Sequence, residues 1–126
     1  MESLSIKSGV SSPSVDFDPE TGLLRMGGES YPENSFEFYT PIIAWLTGYL
    51  SDVTHPVRFL VELSYLNTSS TKCMIDLLDQ LEAGFKQGVK VSVDWYYDRD
   101  NERARDTIEE FREDFTMPFN VIAREG

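Results

Sequence analysis

Behind Asn67 the chain carries four consecutive hydroxyl side chains, Thr68-Ser69-Ser70-Thr71, followed by Lys72. Two kinds of chemistry suit such a run at a strand-to-helix junction. One is helix capping: one of Asn67, Thr68 and Ser69 accepts a bond from a first-turn N–H, and the others tolerate the turn. The other is phosphorylation. A helix start presents unsatisfied N–H groups and a partial positive charge, so a phosphate is tolerated there. The same phosphate adds about −1.5 to −2 charge and three acceptor oxygens to an exposed surface. That charge can abolish docking of an acidic or apolar partner without unfolding the domain. In this second reading Thr68 acts as a phosphate acceptor, and no group here needs to be a catalyst. The residue types by themselves leave both readings open.

Elsewhere the inventory for catalysis is thin. His55, the single histidine, precedes Pro56 at the start of an apolar run and has no obvious partner for general-base work. Cys73, the single cysteine, falls on the apolar side of a helical pattern with only Lys72 beside it, which fits a buried structural thiol better than a nucleophile. One histidine and one cysteine cannot assemble a zinc site. Gly27-Gly28 lacks the lysine and the helix of a phosphate loop, and there is no Gly-x-Ser-x-Gly elbow. Asp98, Asp100, Glu102, Asp106 and Glu109 approach calcium-loop spacing. Arg103 occupies the position where the sharp turn needs glycine, so the acids read as a helix start and a solvated face. Neither a cofactor nor a metal is expected.

The elements that hold these residues follow from composition and pattern. With 126 residues the chain is expected to form one domain, 1–126. Twenty-two acids against 11 bases give a net charge of −11, which argues against a nucleic-acid binder and against docking on an anionic membrane. No apolar stretch reaches the roughly 18 residues of a membrane span. The start, Met1-Glu2-Ser3-Leu4-Ser5-Ile6-Lys7, does not read as a signal peptide, and a cytoplasmic protein is expected.

Leu4 to Ile6 is a short candidate strand. Val15 and Phe17 alternate with Asp16 and Asp18, Asp18-Pro19-Glu20-Thr21-Gly22 makes a hairpin turn, and Leu23 to Met26 returns, ending at Gly27-Gly28. Thr40-Pro41 predicts a helix start for Ile42, Trp45, Leu46 and Tyr49, with Asn34 and Glu37 at capping-box spacing for a preceding turn. Val57 to Leu66, nearly continuous in apolar character, reads as a central strand covered on both faces. Ser69 to Gln87 is a helix stopped by Gly88. Val89 to Trp95 is a strand, Asp100 to Asp114 a helix, and Phe119 to Ala123 a last strand. The fold class is therefore α/β. A mixed β-sheet begins with an N-terminal antiparallel hairpin and continues β-α-β-α-β-α-β.

Together these pieces resemble a known family. Asp16-Phe17-Asp18-Pro19-Glu20-Thr21-Gly22 leads through Ser30-Tyr31-Pro32-Glu33-Asn34 to Phe36-Glu37-Phe38-Tyr39. Then follow Pro41, Trp45-Leu46, Tyr49-Leu50 and finally Tyr65-Leu66-Asn67-Thr68-Ser69-Ser70. In order and spacing, over essentially the whole chain, they resemble the SiaC regulatory phosphoproteins of bacteria. The resemblance implies a STAS-like fold with its phosphorylatable residue at the start of the helix after a central strand, here Thr68. It implies a non-enzymatic partner-switching protein. A partner kinase phosphorylates the threonine, a PP2C-like phosphatase reverses this, and the unphosphorylated form activates a diguanylate cyclase, promoting cyclic di-GMP synthesis, biofilm and aggregation. Asn67, Ser69 and Ser70 match the surrounding motif and are expected to shape partner contacts. Asn67-Thr68 replaces the usual Asp-Ser of the STAS phosphosite, so a kinase specific for that other motif is not assumed. An interaction module for a different partner, such as an anti-sigma factor, is the alternative.

Overall fold

Six strands and three helices follow the expected order: β1 (Leu4–Ile6), β2 (Ser14–Phe17), β3 (Leu23–Ser30), α1 (Ser35–Leu50), β4 (Val57–Leu66), α2 (Thr68–Lys86), β5 (Val91–Asp98), α3 (Glu102–Glu113) and β6 (Phe119–Arg124). The computed structural model describes residues 1–125. The strands form one mixed sheet in the spatial order β1-β2-β3-β4-β5-β6. β1–β2 and β2–β3 pair antiparallel, and the three remaining pairs are parallel.

The β2–β3 hairpin turns where Asp18 and Gly22 predict it. The Gly22 N–H donates to the Asp18 carbonyl, and the Glu20 N–H donates to Asp18 Oδ1. Gly22 sits at φ +77, and a Cβ there would stand 2.2 Å from the Pro56 carbonyl oxygen. Both the left-handed backbone and that backbone contact exclude a side chain. Gly22→Ala is expected to cost about 2 kcal/mol or more, read as a lowered midpoint in thermal unfolding. An unchanged midpoint would mean that the turn relaxes freely.

Three local expectations are corrected. β3 does not end at Gly27-Gly28. It runs on to Ser30 through a register shift between Gly28 and Glu29, with Gly28 at φ +102. Thr40 is not an N-cap. Asn34 caps a single sixteen-residue α1, accepting from the Glu37 N–H, and the Thr40 hydroxyl bonds back to the Phe36 carbonyl. Pro41 therefore lies inside the helix, on its exposed side, where water can take the carbonyl its missing N–H leaves free.

The third correction concerns coverage of β4. Val57, Phe59, Val61 and Leu63 are buried, but Arg58 and Ser64 are exposed and Leu60 and Glu62 half-buried. Each parallel crossover steps to the next strand in the same direction, and the right-handed rule then places all three helices on one face. The other face carries polar rows instead. Asp16, Arg25, Leu60, Asp94 and Asn120 lie side by side across five strands. Arg58 holds Asp94 Oδ2 at 2.7 Å, and Asn120 donates to Asp94 Oδ1 at 2.9 Å. Glu62 pairs with Arg124 and, at 3.9 Å, with Arg25.

The covered face holds the core. Phe17, Leu24, Phe59, Val61, Val93 and Trp95 from the strands meet Ile42 and Leu46 of α1, Met74, Leu77, Leu78 and Leu81 of α2, and Ile108 and Phe111 of α3. Gly88, at φ +106, ends α2 as expected.

Candidate functional site

β3 and β4 run parallel and end together, with Ser30 opposite Leu66. Both following helices therefore start from the same edge of the sheet. The Asn67 N–H donates to the Ser30 carbonyl, and Asn67 is the residue that caps α2, its Oδ1 accepting from the Ser70 N–H at 2.9 Å.

Behind that cap lies a chain of hydroxyls drawn from three elements. Tyr39 OH meets Ser30 Oγ at 2.7 Å, Ser30 Oγ donates to Ser70 Oγ at 2.9 Å, Ser70 Oγ meets Ser35 Oγ at 3.2 Å, and Ser35 Oγ meets Ser69 Oγ at 2.8 Å. Ser69 Oγ donates onward to Asn67 Oδ1 at 3.4 Å. Donation running from Tyr39 to Asn67 uses each hydroxyl proton once and leaves none unpaired. Burial pushes the Tyr39 phenol up to about 12, with the Ser30 bond opposing.

The network sorts the four predicted site residues. Thr68 is exposed and takes no part in the chain of hydroxyls. Asn67 and Ser69 are half-buried and bonded to it. Ser70 is fully buried. Its hydroxyl faces inward because it joins β3, α1 and α2, so any shaping of the surface by Ser70 acts through the helix start it fixes. Sequence reasoning missed Ser30, Ser35 and Tyr39, since isolated serines and a helical tyrosine carry no signal until two crossovers bring them together.

Around Thr68 the surface is aromatic. Tyr65 and Phe36 are each 53% exposed and Tyr31 37%. Tyr31 packs edge-on against Tyr65 at 6.0 Å, and Lys72 lies 6.0 Å above the Phe36 ring. The other large apolar side chains this exposed among the described residues are Met1 and Val10, and Val10 takes a bond from Tyr31 OH.

The remaining candidates lie elsewhere. His55 is at the far end of the ten-residue β4, roughly 30 Å from Thr68 at 3.3 Å per residue. Its two ring nitrogens sit 3.0 Å from the Pro19 carbonyl and 3.1 Å from that of Pro56, so it braces the hairpin turn. Cys73 is buried, and burial pushes its thiol up, with Asp76 adding to the effect, away from the thiolate a nucleophile needs. Asp98 to Glu109 is the end of β5, a turn and a helix capped by Asn101, and among the described residues no group of three or more ligating side chains could hold a metal. No helix among the described residues is long and apolar enough to cross a membrane.

Fold and site thus define a small α/β domain that displays one exposed threonine at a rigidly capped helix start amid exposed aromatic rings. The chain matches the model of the SiaC family regulatory phosphoproteins over residues 6–124, and it belongs to that family. It is 44% identical over 125 residues, 99% of each chain, to an uncharacterized protein of Pseudomonas aeruginosa strain UCBPP-PA14. It superposes on apo-SiaC of P. aeruginosa with a TM-score of 0.93 at 43% identity, covering 98% of this chain and all of that one. A chain from the crystal structure of the P. aeruginosa diguanylate cyclase SiaD in complex with its activator SiaC matches with a TM-score of 0.92 at 45% identity. That match covers 96% of this chain and 99% of the other.

Proposed function

We propose that this protein is a non-enzymatic, cytoplasmic phospho-switch. Its unphosphorylated form binds and activates a diguanylate cyclase, raising cyclic di-GMP and promoting biofilm and aggregation. Phosphorylation of Thr68 by a partner kinase, reversed by a PP2C-like phosphatase, blocks this. The observation that carries the reading is the exposed Thr68 side chain beside inward-turned Ser69 and Ser70, in a chain 45% identical to one solved with a cyclase. Kinase and phosphatase must each reach the hydroxyl, so an effector that covers the same aromatic surface is opposed directly by phosphate.

The test is cyclase activation in purified components, comparing unmodified protein with protein phosphorylated by its kinase and mapped by mass spectrometry. Activation by the unmodified form alone, with phosphate on Thr68, supports the switch. Equal activation by both forms would refute it. Phe36→Ala serves as a second check on the surface. Truncating an exposed aromatic anchor is expected to lower cyclase affinity about tenfold, while the melting temperature stays within about 2 °C because the ring is not in the core.

A further inference from the structure

A groove opens one helical turn from Thr68, and nothing among the described residues fills it. It has a cavity volume of about 180 Å³ and lies at the C-terminal edge of the parallel strands, between the start of α2 and α3. Tyr65, Leu66 and Thr71 form the wall on the Thr68 side, and Ala104 and Ile108 of α3 face them. Thr71 and Thr68 stand at i and i+3 on one side of α2, so the groove and the threonine belong to one continuous surface.

The lining is mostly apolar but includes the indole of Trp95, which is 1% exposed. Its Nε1–H is the one buried side-chain polar atom without a hydrogen-bond partner among the described residues. A buried donor left unpaired costs about 1–3 kcal/mol, and native interiors rarely leave one so. The other buried polar side chains at this edge, Ser30, Ser35 and Ser70, are bonded. The exception therefore stands out at the one place where an apolar groove adjoins the switch residue.

We infer that this groove receives an apolar side chain of the cyclase, and that an acceptor oxygen beside that side chain takes the Trp95 indole N–H. The inference rests on the proposed function and adds a second contact to it, separate from Thr68. Size agrees, since a cavity of about 150 Å³ already holds a benzene-sized group. Charge agrees as well. Arg103 lines the same groove and adds a positive charge to its rim, which favours a partner segment carrying a carboxylate or carbonyl oxygen. Continuity with Thr68 argues for the effector over a free small molecule, because phosphate would then disrupt one edge of an interface whose apolar anchor lies a turn away.

The chain has two tryptophans, hence two indole N–H resonances. Trp45 Nε1 already donates to the Glu2 carbonyl at 2.9 Å and serves as the internal control. Adding unlabelled cyclase to ¹⁵N-labelled protein is expected to move the Trp95 indole resonance downfield and leave that of Trp45 in place. Ala104→Phe, which fills the groove from α3, is expected to weaken cyclase binding at least about tenfold. An unmoved Trp95 resonance in a complex that forms normally overturns the groove, and does so even if Ala104→Phe fails to fold. In that outcome loss of binding on Thr68 phosphorylation leaves the switch standing. Absence of any binding by the wild type removes both. A Trp95 shift produced by cyclic di-GMP alone would assign the groove to a small molecule and overturn the docking role.

Discussion

Phosphorylation of Thr68 is expected to weaken cyclase binding by roughly 150-fold, equivalent to about 3 kcal/mol. One group has two opposed effects. Within the domain the phosphate sits at the first residue of α2, where the helix start favours negative charge. Thr68 lies outside the hydroxyl chain, so nothing inside has to move. The melting temperature should therefore change by only about 2 °C, in keeping with a surface change. In the complex the same dianion would be trapped against the partner beside Tyr65 and Phe36, and an unpaired charge taken out of water costs several kcal/mol. Thr68→Ala should bind like the unmodified protein. Thr68→Asp should lose about tenfold, having one charge and a shorter reach. Calorimetric titration of the four forms checks this. Wild-type affinity in the phosphorylated form would sink the assignment of the switch to Thr68.

The largest expected effect on stability falls on Glu82. It lies on α2, is only 8% exposed, and faces the segment between α3 and β6. Its carboxylate accepts from the Thr116 N–H, the Thr116 hydroxyl and the Met117 N–H, at distances of 2.8–3.1 Å. It thereby does for this loop what a cap does for a helix. Burial pushes the Glu82 carboxyl up, but the bonds from Thr116 and Met117, with Lys86 nearby, outweigh it and hold the group below its ordinary value. Glu82→Ala strands two backbone donors, and a loss of about 3 kcal/mol is expected, read as a melting temperature about 10 °C lower. A folded-state value below the unfolded one contributes stability that is fully present above the unfolded value of about 4.3. That stability is lost as pH falls through the folded value. Thermal unfolding of both proteins from pH 7 to pH 3 should show a constant gap at neutral pH that narrows below about pH 4. A gap that persists undiminished at pH 3 would show that the effect is packing and not the charged acceptor.

Much of this molecule is legible in the sequence because its signals are local. β1 and β4 carry the predicted bounds, since an apolar run with turn residues on either side needs no tertiary partner to be recognised. The hairpin at Asp18 to Gly22 and the stop at Gly88 are likewise set by one or two residues whose backbone chemistry is fixed, whereas the choice of Asn67 as cap among Asn67, Thr68 and Ser69 was settled only by the structure. The resemblance to the family was legible for the same reason, being carried by short motifs in a fixed order. Pro41 and Gly27-Gly28 misled because each is a breaker by local rule. A proline on the solvent side of a helix, and a bulge between paired strands, are tolerated once neighbours hold the backbone on both sides.

What the sequence by itself determined is the class, the element order and the place of Thr68 at a helix start. The strand order was decided only by the tertiary structure, and with it the open face bearing Arg58, Asp94 and Glu62, because crossover direction is not written in any one strand. That Thr68 faces outward while Ser69 and Ser70 turn inward was decided there too. Ser69 and Ser70 are held by Ser30 and Ser35, residues 34 to 40 positions away, and only the shared end of β3 and β4 brings them within hydrogen-bond reach. Residue type places a hydroxyl at the helix start. Long-range bonding decides which of them are turned inward, away from another protein.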